Sequence, residues 1–368
     1  MNIKVCHFTT VHPLFDIRIF YKQAKTLAKA GYDVTLIAQH KGDEVIEDVK
    51  IISLPAPRSR LSRIFGLTLR TFRLALKQKA ALYHFHDPEL IPVGLALKAL
   101  TSARVVYDIH EDYPRQILSK AWIPAIFRKP IAWGMGLLER IAASFFDGLV
   151  AATPGIARRF PPAKTVVVSN FPRVKELTSQ EETAPYQGRP NWVVYVGSIA
   201  SVRGAVEMVK AVARANAPTQ LVLAGRFEST ALQQALSGLP GWQRTRFVGW
   251  LDRRQVRDLL GKARVGLVLL HPLPRYQEAW PVKLFEYMAA GIPFIASDFP
   301  LWRELGDGAG LFVNPLEPQA IAQAMDWLLM HPEEAEAMGR RGRESVLEKY
   351  NWEAEARKLL RLYERLLS

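Results

Sequence analysis

The stretch Gln277 to Ser297 reads QEAWPVKLFEYMAAGIPFIAS. Glu278 and Glu286 stand eight positions apart, with Pro281 between them. Proline suits the first turn of a helix, where backbone N–H groups are spare, so a helix is expected to begin there. An apolar helical run follows, and Gly291 and Pro293 end it. Phe294 to Ala296 then reads as a short buried strand. One carboxylate is therefore expected in the loop at a helix N-terminus and the other about a turn inside. A helix N-terminus presents free N–H groups and partial positive charge, which suits a phosphate. Carboxylates accept hydrogen bonds from sugar hydroxyls. Together these features outline a cradle for a sugar joined to a diphosphate.

The same residues resemble the E-x7-E motif of the retaining family-4 glycosyltransferases, the "glycosyl transferases group 1" type, which have the GT-B fold. The resemblance implies an α/β protein with two Rossmann-like domains, a cleft between them, and a C-terminal helix that crosses back to the first domain. It implies that Glu278 meets the donor sugar and Glu286 the ribose. It also places Trp280, Val282 and Lys283 on the donor side.

The rest of the chain bears on that reading. Its 368 residues suit two domains. About half are hydrophobic, enough for two sizeable cores. A single cysteine, Cys6, rules out an internal disulfide framework and fits a reducing compartment. The N-terminus enters a strand at once, with no secretory signal pattern, and no run of about 18 apolar residues suggests a membrane span. The expectation is a cytoplasmic protein, peripheral at the inner face of the cell membrane. The net charge of +14 is uneven: residues 1–175 carry +13 and the remainder +1. A basic half points to an anionic partner such as a phosphorylated substrate, an anionic lipid or nucleic acid. No helix-turn-helix, zinc-finger or RNP pattern supports nucleic acid.

Short β-branched runs alternate with helical patterns along the whole chain, which predicts parallel sheets covered by helices. Such sheets bind ligands beyond the carboxyl ends of their strands. The expected division is an acceptor-binding domain over 1–170, a linker over 171–190, a nucleotide-sugar-binding domain over 191–349, and a returning helix over 350–368. The linker is expected because Phe171 to Asn191 holds three prolines and little that could pack.

In the second half, WVVYVGSIASVRG (Trp192–Gly204) reads as a strand, a glycine turn and a helix start. The family commonly has an Arg right after this glycine and a Lys before a second one, both on the donor diphosphate. Ser198 and Arg203 hold those places here, next to Gly197. Arg203 can clamp a phosphate with two N–H groups, whereas Ser198 offers one neutral hydrogen bond. Lys283 is a candidate to supply the missing charge. The strand RFVGWL ends in Gly249, which the resemblance places beside the nucleotide base, with Trp250 either there or in the core.

In the first half, VVYDIHEDYP (Val105–Pro114) ends a strand near Ile109 and places His110, Glu111 and Asp112 after it. By resemblance His110 contacts the donor sugar near the reacting carbon, and Glu111 and Asp112 orient His110 or hold the acceptor. Phe8–Arg18, FTTVHPLFDIR, lacks the glycines many family members have there, and reads as a loop whose Thr10 and His12 meet the acceptor. Asp16 and Arg18 are expected to pair locally. His84, His86 and Asp87 in LYHFHDPEL suggest a metal set, but no further ligand spacing appears, and the resemblance to GT-B enzymes implies no bound metal or cofactor. Asp87 and Glu89 are expected to cap the next helix.

Two stretches stand apart. Arg58–Lys79 interleaves seven basic residues, Arg60 among them, with Leu, Ile and Phe; Ala121–Leu138 mixes Trp122, Ile126, Phe127 and Trp133 with Arg128 and Lys129. Two readings stay open: a surface for an anionic membrane, or ordinary helices packed on a sheet with solvated cations. The function expected is transfer of a sugar from a nucleoside-diphosphate sugar to a glycan or lipid-linked acceptor with retention of configuration. Alternatives are another GT-B enzyme, such as a nucleotide-sugar epimerase or an inverting transferase with Glu111 or Asp112 as base, and a non-catalytic sugar-nucleotide binder. A dinucleotide oxidoreductase is disfavoured, since no G-x-G-x-x-G follows the first strand.

Overall fold

A computed structural model describes residues 2–59, 61–120, 122–177 and 185–368. Arg60, Ala121 and the middle of the expected linker lie outside the described residues. The chain forms two compact units, one of Met1–Asn170 with Glu353–Ser368, the other of Phe171–Trp352.

The first unit holds strands β1 (Lys4–Pro13), β2 (Asp33–Gln39), β3 (Glu44–Ile46), β4 (Val49–Leu54), β5 (Leu82–Phe85), β6 (Arg104–Ile109), β7 (Gly148–Ala151) and β8 (Thr165–Val167). They form one sheet in the order β3-β4-β2-β1-β5-β6-β7-β8. All neighbours run parallel except the β3–β4 hairpin at the edge. Strands covered on both faces read as continuous apolar runs, which is why β2, β5, β6 and β7 stand out in the sequence. The polar edge strand β3 has no such run and escapes that reading; its turn places Glu47 and Asp48 in the left-handed region.

The second unit holds β9 (Trp192–Val196), β10 (Gln220–Ala224), β11 (Thr245–Gly249), β12 (Val265–Val268), β13 (Phe294–Ser297) and β14 (Gly310–Val313), all parallel, in the order β11-β10-β9-β12-β13-β14. Phe171, Val174 and Leu177 are buried in its core, and Tyr186 is buried too. Much of the stretch read as a free linker is therefore packed structure, held by its few apolar side chains.

Each sheet reverses its strand order once, at β1/β5 in the first unit and β9/β12 in the second. Connections leave in opposite directions there, so a crevice opens at the carboxyl ends of the two strands. Both clusters of polar residues considered next stand at such a point. The helix Trp352–Leu367 completes the first unit. Its Glu355 accepts the Ser169 N–H at 2.8 Å, and the Leu366 carbonyl accepts from Arg104 Nε at 3.1 Å.

Candidate functional site

In the second unit, the turn after β9 and the helix after β12 flank the reversal point. Gly197 (φ +148°) opens the turn and Gly204 (φ +72°) closes it. Between them Ser198 is exposed, and its carbonyl accepts from the Tyr195 hydroxyl at 2.7 Å. Arg203 hydrogen-bonds that same tyrosine; burial raises the Tyr195 pKa, and the guanidinium opposes the rise.

Helix Val282–Ala289 begins just after Pro281, and Glu278 is exposed in the loop before it. Glu286, one turn inside, is only 3 % exposed. Lys283 Nζ lies 2.6 Å from one of its oxygens and Arg253 Nη1 3.1 Å from the other. Two cations thus hold the buried carboxylate in place. A Cβ built on Gly197 would lie 3.5 Å from Lys283 Cε, so the turn and the helix approach each other at this point. Arg253, at the start of helix Arg253–Lys262, was not among the sequence candidates. It lies far from Glu286 in sequence, and its only local signal is the capping residue Asp252 before it.

Trp280 packs against Phe171, Phe285 and Tyr350. Its ring is committed to the core, which leaves the flanking Val282 and Lys283, both partly exposed, to face outward. Gly249 ends β11 at φ +75° with open space where a Cβ would be, and Trp250 beside it is exposed, not a core aromatic. The carboxyl ends of β9, β10, β11 and β12 lie along one edge, because these strands are parallel neighbours.

In the first unit the centre is Asp108, a fully buried carboxylate within β6 that the sequence reading passed over. Arg18 holds it through Nε at 2.9 Å and Nη2 at 2.6 Å. Gln23 Nε2 donates to it at 2.8 Å, and a ring nitrogen of His86 and of His110 lies 3.1 and 3.0 Å from Oδ2. Burial pushes the Asp108 pKa up, but the charges of Arg18 and His110 win and hold it well below the usual carboxylate range. His110 thus stands at the end of β6, as expected, but it is oriented by Asp108. Glu111 instead accepts from Gln116, and Asp112 caps helix Tyr113–Leu118 and pairs with Arg159 at 3.1 Å.

The expected loop Phe8–Arg18 is extended as far as Pro13, with a register shift after Phe8. Thr9 and Thr10 are buried because Asp87 gathers them: its Oδ2 accepts from Thr9 Oγ1 at 2.8 Å, Thr10 N at 2.6 Å and Val11 N at 3.1 Å. Asp87 therefore fastens β1 to β5 and makes no side-chain capping bond to the following helix. Glu89 likewise receives Thr10 Oγ1 at 2.6 Å and pairs with Arg63. The local pair expected between Asp16 and Arg18 does not form between side chains. Asp16 caps the helical stretch Ile17–Ala24 through the Arg18 and Ile19 N–H groups, and lies 3.4 Å from His12. Burial opposes charge on His12, but Asp16 and Asp87 outweigh it and raise the imidazole pKa.

Behind this cluster lie three buried imidazoles. His7 Nδ1 is 3.1 Å from His86 Nε2, and the Tyr363 hydroxyl sits 2.9 Å from His7 Nε2 and 2.7 Å from His84 Nδ1. Burial lowers the pKa of His7, His84 and His86. Ring nitrogens of His84 and His86 and an oxygen of Asp108 come within 4.8 Å of one another, which is a possible metal set. The residues do not fit one: the Arg18 guanidinium already takes the cation position on both Asp108 oxygens.

The comparisons with known proteins follow this geometry. The model of "Glycosyl transferases group 1" matches residues 150–345, and that of "Glycosyl transferase 4-like domain" matches residues 18–170. A D-rhamnosyltransferase, WbpZ, of Pseudomonas aeruginosa is 26% identical over 75% of this chain and 71% of its own length. A phosphatidyl-myo-inositol mannosyltransferase of Mycobacterium leprae is 25% identical over 93% of this chain and 88% of its own. Among solved structures, sucrose-phosphate synthase from Thermosynechococcus elongatus superposes with a TM-score of 0.78 over 99% of both chains at 20% identity. Anabaena HepE in complex with UDP-glucose gives 0.74, over 99% of this chain and 100% of that one, at 12% identity. The fold is GT-B, and with over half of its length matched by one family model, the chain belongs to the glycosyl transferases group 1 family.

Proposed function

We propose that the protein transfers a glycosyl group from a nucleoside-diphosphate sugar to an acceptor hydroxyl, with retention of anomeric configuration and without a bound metal ion. The observation that carries this reading is Glu286, buried between Arg253 and Lys283 beside the Gly197–Gly204 turn. A ribose diol donates to such a carboxylate, while Lys283, Arg203 and the first N–H groups of helix Val282–Ala289 suit the diphosphate. Glu278, exposed before that helix, is the candidate for the sugar hydroxyls. HepE was solved with UDP-glucose, and the curated relatives are named as rhamnosyl- and mannosyltransferases, which supports a nucleotide-sugar donor.

In the first unit, His110 on ionised Asp108 is assigned to hydrogen-bond the reacting sugar, and His12 and Thr10 to the acceptor side. Retention is the outcome that the family likeness supports, and of the two candidate bases for inversion Asp112 is held by a helix cap and by Arg159. In the proposed step the acceptor oxygen forms a bond to the anomeric carbon on the face that the diphosphate leaves. The departing phosphate oxygen takes the acceptor proton. The protein contributes position and electrostatic stabilisation.

A thermal-shift screen of nucleoside diphosphates and their sugars tests donor binding, because a ligand of the native state raises apparent stability. Turnover with the stabilising donor, and the anomeric configuration of the product by NMR, test the rest. No stabilisation by any nucleotide sugar would end the donor assignment, an inverted product would end retention, and binding without turnover would make the chain a binder.

A further inference from the structure

Helices Thr68–Gln78, Ile91–Leu100 and Ala125–Phe145 pack on the same face of the first sheet, through Ala75, through Val93 and Leu97, and through Ala142 and Ala143. The longest of them has an unusual distribution of side chains. Its packed side is narrow and small, with Ala132, Ala142 and Ala143 around Glu139. Its outward side carries Ile126, Pro130, Trp133, Leu137, Ile141 and Phe145, all exposed, with Ile126 at 75 % and Trp133 at 72 %. Steps of three and four residues put these on one stripe, about 30 Å long at 1.5 Å per residue. The solvent face of a surface helix is ordinarily polar, and a continuous apolar stripe marks an interaction surface.

The exposed charges on this helix have one sign. Glu139 is the only carboxylate between Asp112 and Asp147, and it is buried against Arg159 and Tyr107. Lys129 and Arg140 stand exposed beside the stripe. In the same helical layer, Arg70, Arg73 and Lys77 are exposed with Leu69 and Leu76, and no carboxylate occurs between Asp48 and Asp87.

We propose that this face rests on an anionic lipid bilayer, with helix Ala125–Phe145 in the plane of the interface. The apolar stripe enters the headgroup–acyl boundary, and the flanking cations meet the lipid phosphates. The helix cannot cross the bilayer, because one side is packed into the core, and no helix among the described residues is long and apolar enough to span. A second copy of this chain is a poorer occupant. A two-fold contact places the same patch on both partners, and so brings Lys129 and Arg140 towards their own like charges. The lipid contact does not rest on the proposed transfer reaction.

The test uses the full chain and vesicles of phosphatidylcholine with or without phosphatidylglycerol. Recovery in the pellet is expected only with phosphatidylglycerol, and added salt should release the protein. Lys129→Gln and Arg140→Gln should each lower partitioning about fivefold. Ile126→Ser with Trp133→Ser should lower it further, while circular dichroism and nucleoside-diphosphate affinity stay unchanged. Equal recovery with both lipids, recovery with neither, or recovery indifferent to these substitutions would overturn the proposal. So would a dimer in light scattering that Trp133→Ser dissociates, since the stripe would then belong to a second copy.

Discussion

The guanidinium of Arg18 engages both oxygens of Asp108 at 2.6 and 2.9 Å, across a sequence separation of 90 residues and with both side chains almost free of solvent. Two ions taken out of water offset that cost only while each keeps its partner. Arg18→Ala should therefore destabilise the first unit by about 3–5 kcal/mol, measured by chemical denaturation. Arg18→Lys should recover only part of this, because an ammonium cannot reproduce the two-point geometry. Full stability in Arg18→Ala would show the pair to be dispensable.

Asp108→Asn should affect chemistry more than donor affinity. The amide keeps the volume but removes the charge that orients His110, so turnover should fall while nucleoside-diphosphate binding, assigned to the second unit, is kept. His110→Ala combined with Asp108→Asn should be little worse than either alone, since the two act as one device. Fully additive losses in single-turnover rates would separate them.

Glu286→Ala should weaken nucleoside-diphosphate binding by about 1.5–3 kcal/mol, the usual worth of a hydrogen bond to a charged group. Arg253→Ala should weaken it less, because Lys283 still holds the carboxylate. Glu278→Ala should spare this affinity and depress turnover. Calorimetry with the free nucleotide distinguishes these outcomes; equal nucleotide defects in Glu278→Ala and Glu286→Ala would mean that the two roles are misassigned.

Stability should fall on acidification below about pH 6.5, the ordinary imidazole value. His7, His84 and His86 have lowered pKa values in the folded state, so the unfolded chain binds protons first as pH drops. The limiting slope for three such groups is about 4 kcal/mol per pH unit. His12 acts in the other direction: its raised pKa gives stability that is fully present below the unfolded value and is lost as pH rises through the folded one. Asp16, whose pKa is depressed, contributes above the unfolded carboxylate value and is lost only in stronger acid. Urea titrations from pH 5 to pH 8 read the histidine contributions, and titrations below about pH 4 read that of Asp16; a flat profile below pH 6.5 would contradict neutral buried imidazoles.

Gly225 has φ +145°, and a Cβ there would lie 1.7 Å from the Gly197 carbonyl oxygen. Gly225→Ala should cost about 1–3 kcal/mol or more in stability and displace the turn that carries Ser198 and Arg203, so that diphosphate affinity falls with it. Gly188→Ala, with open space around it, is the control. Thermal unfolding with and without nucleotide reads both effects.

The second unit's site could be read from the chain because most of its groups are contiguous. Glu278, Lys283 and Glu286 sit within one loop and helix, where periodicity and capping rules place side chains. Arg253 could not be found this way, since it reaches Glu286 from another crossover helix. The first unit was legible in its strands and in the position of His110, but not in its bonding. Asp108 sits between Tyr107 and Ile109 and looks like any residue of a buried strand. Its partners Arg18, Gln23 and His86 come from distant segments that only the sheet order brings together. Asp16 and Arg18 are close in sequence, yet the helical stretch begun by Asp16 sends the arginine inward. The helix Ala125–Phe145 has a period that suits core packing; which of its faces meets the sheet depends on the small alanines, and the larger residues point out.

The Tyr363 hydroxyl, joined to His7 and His84, has a consequence for the order of events on the ribosome. Residues 1–170 of the first unit are made early, yet its helix Trp352–Leu367 is made only after residues 171–351. Domains generally fold as units during synthesis, the N-terminal one first. Here the early unit must wait, incomplete at its buried histidines, while the later one is free to close around its own sheet. A released chain truncated before Tyr363 is thus expected to protect the second unit from protease and leave the first open to it.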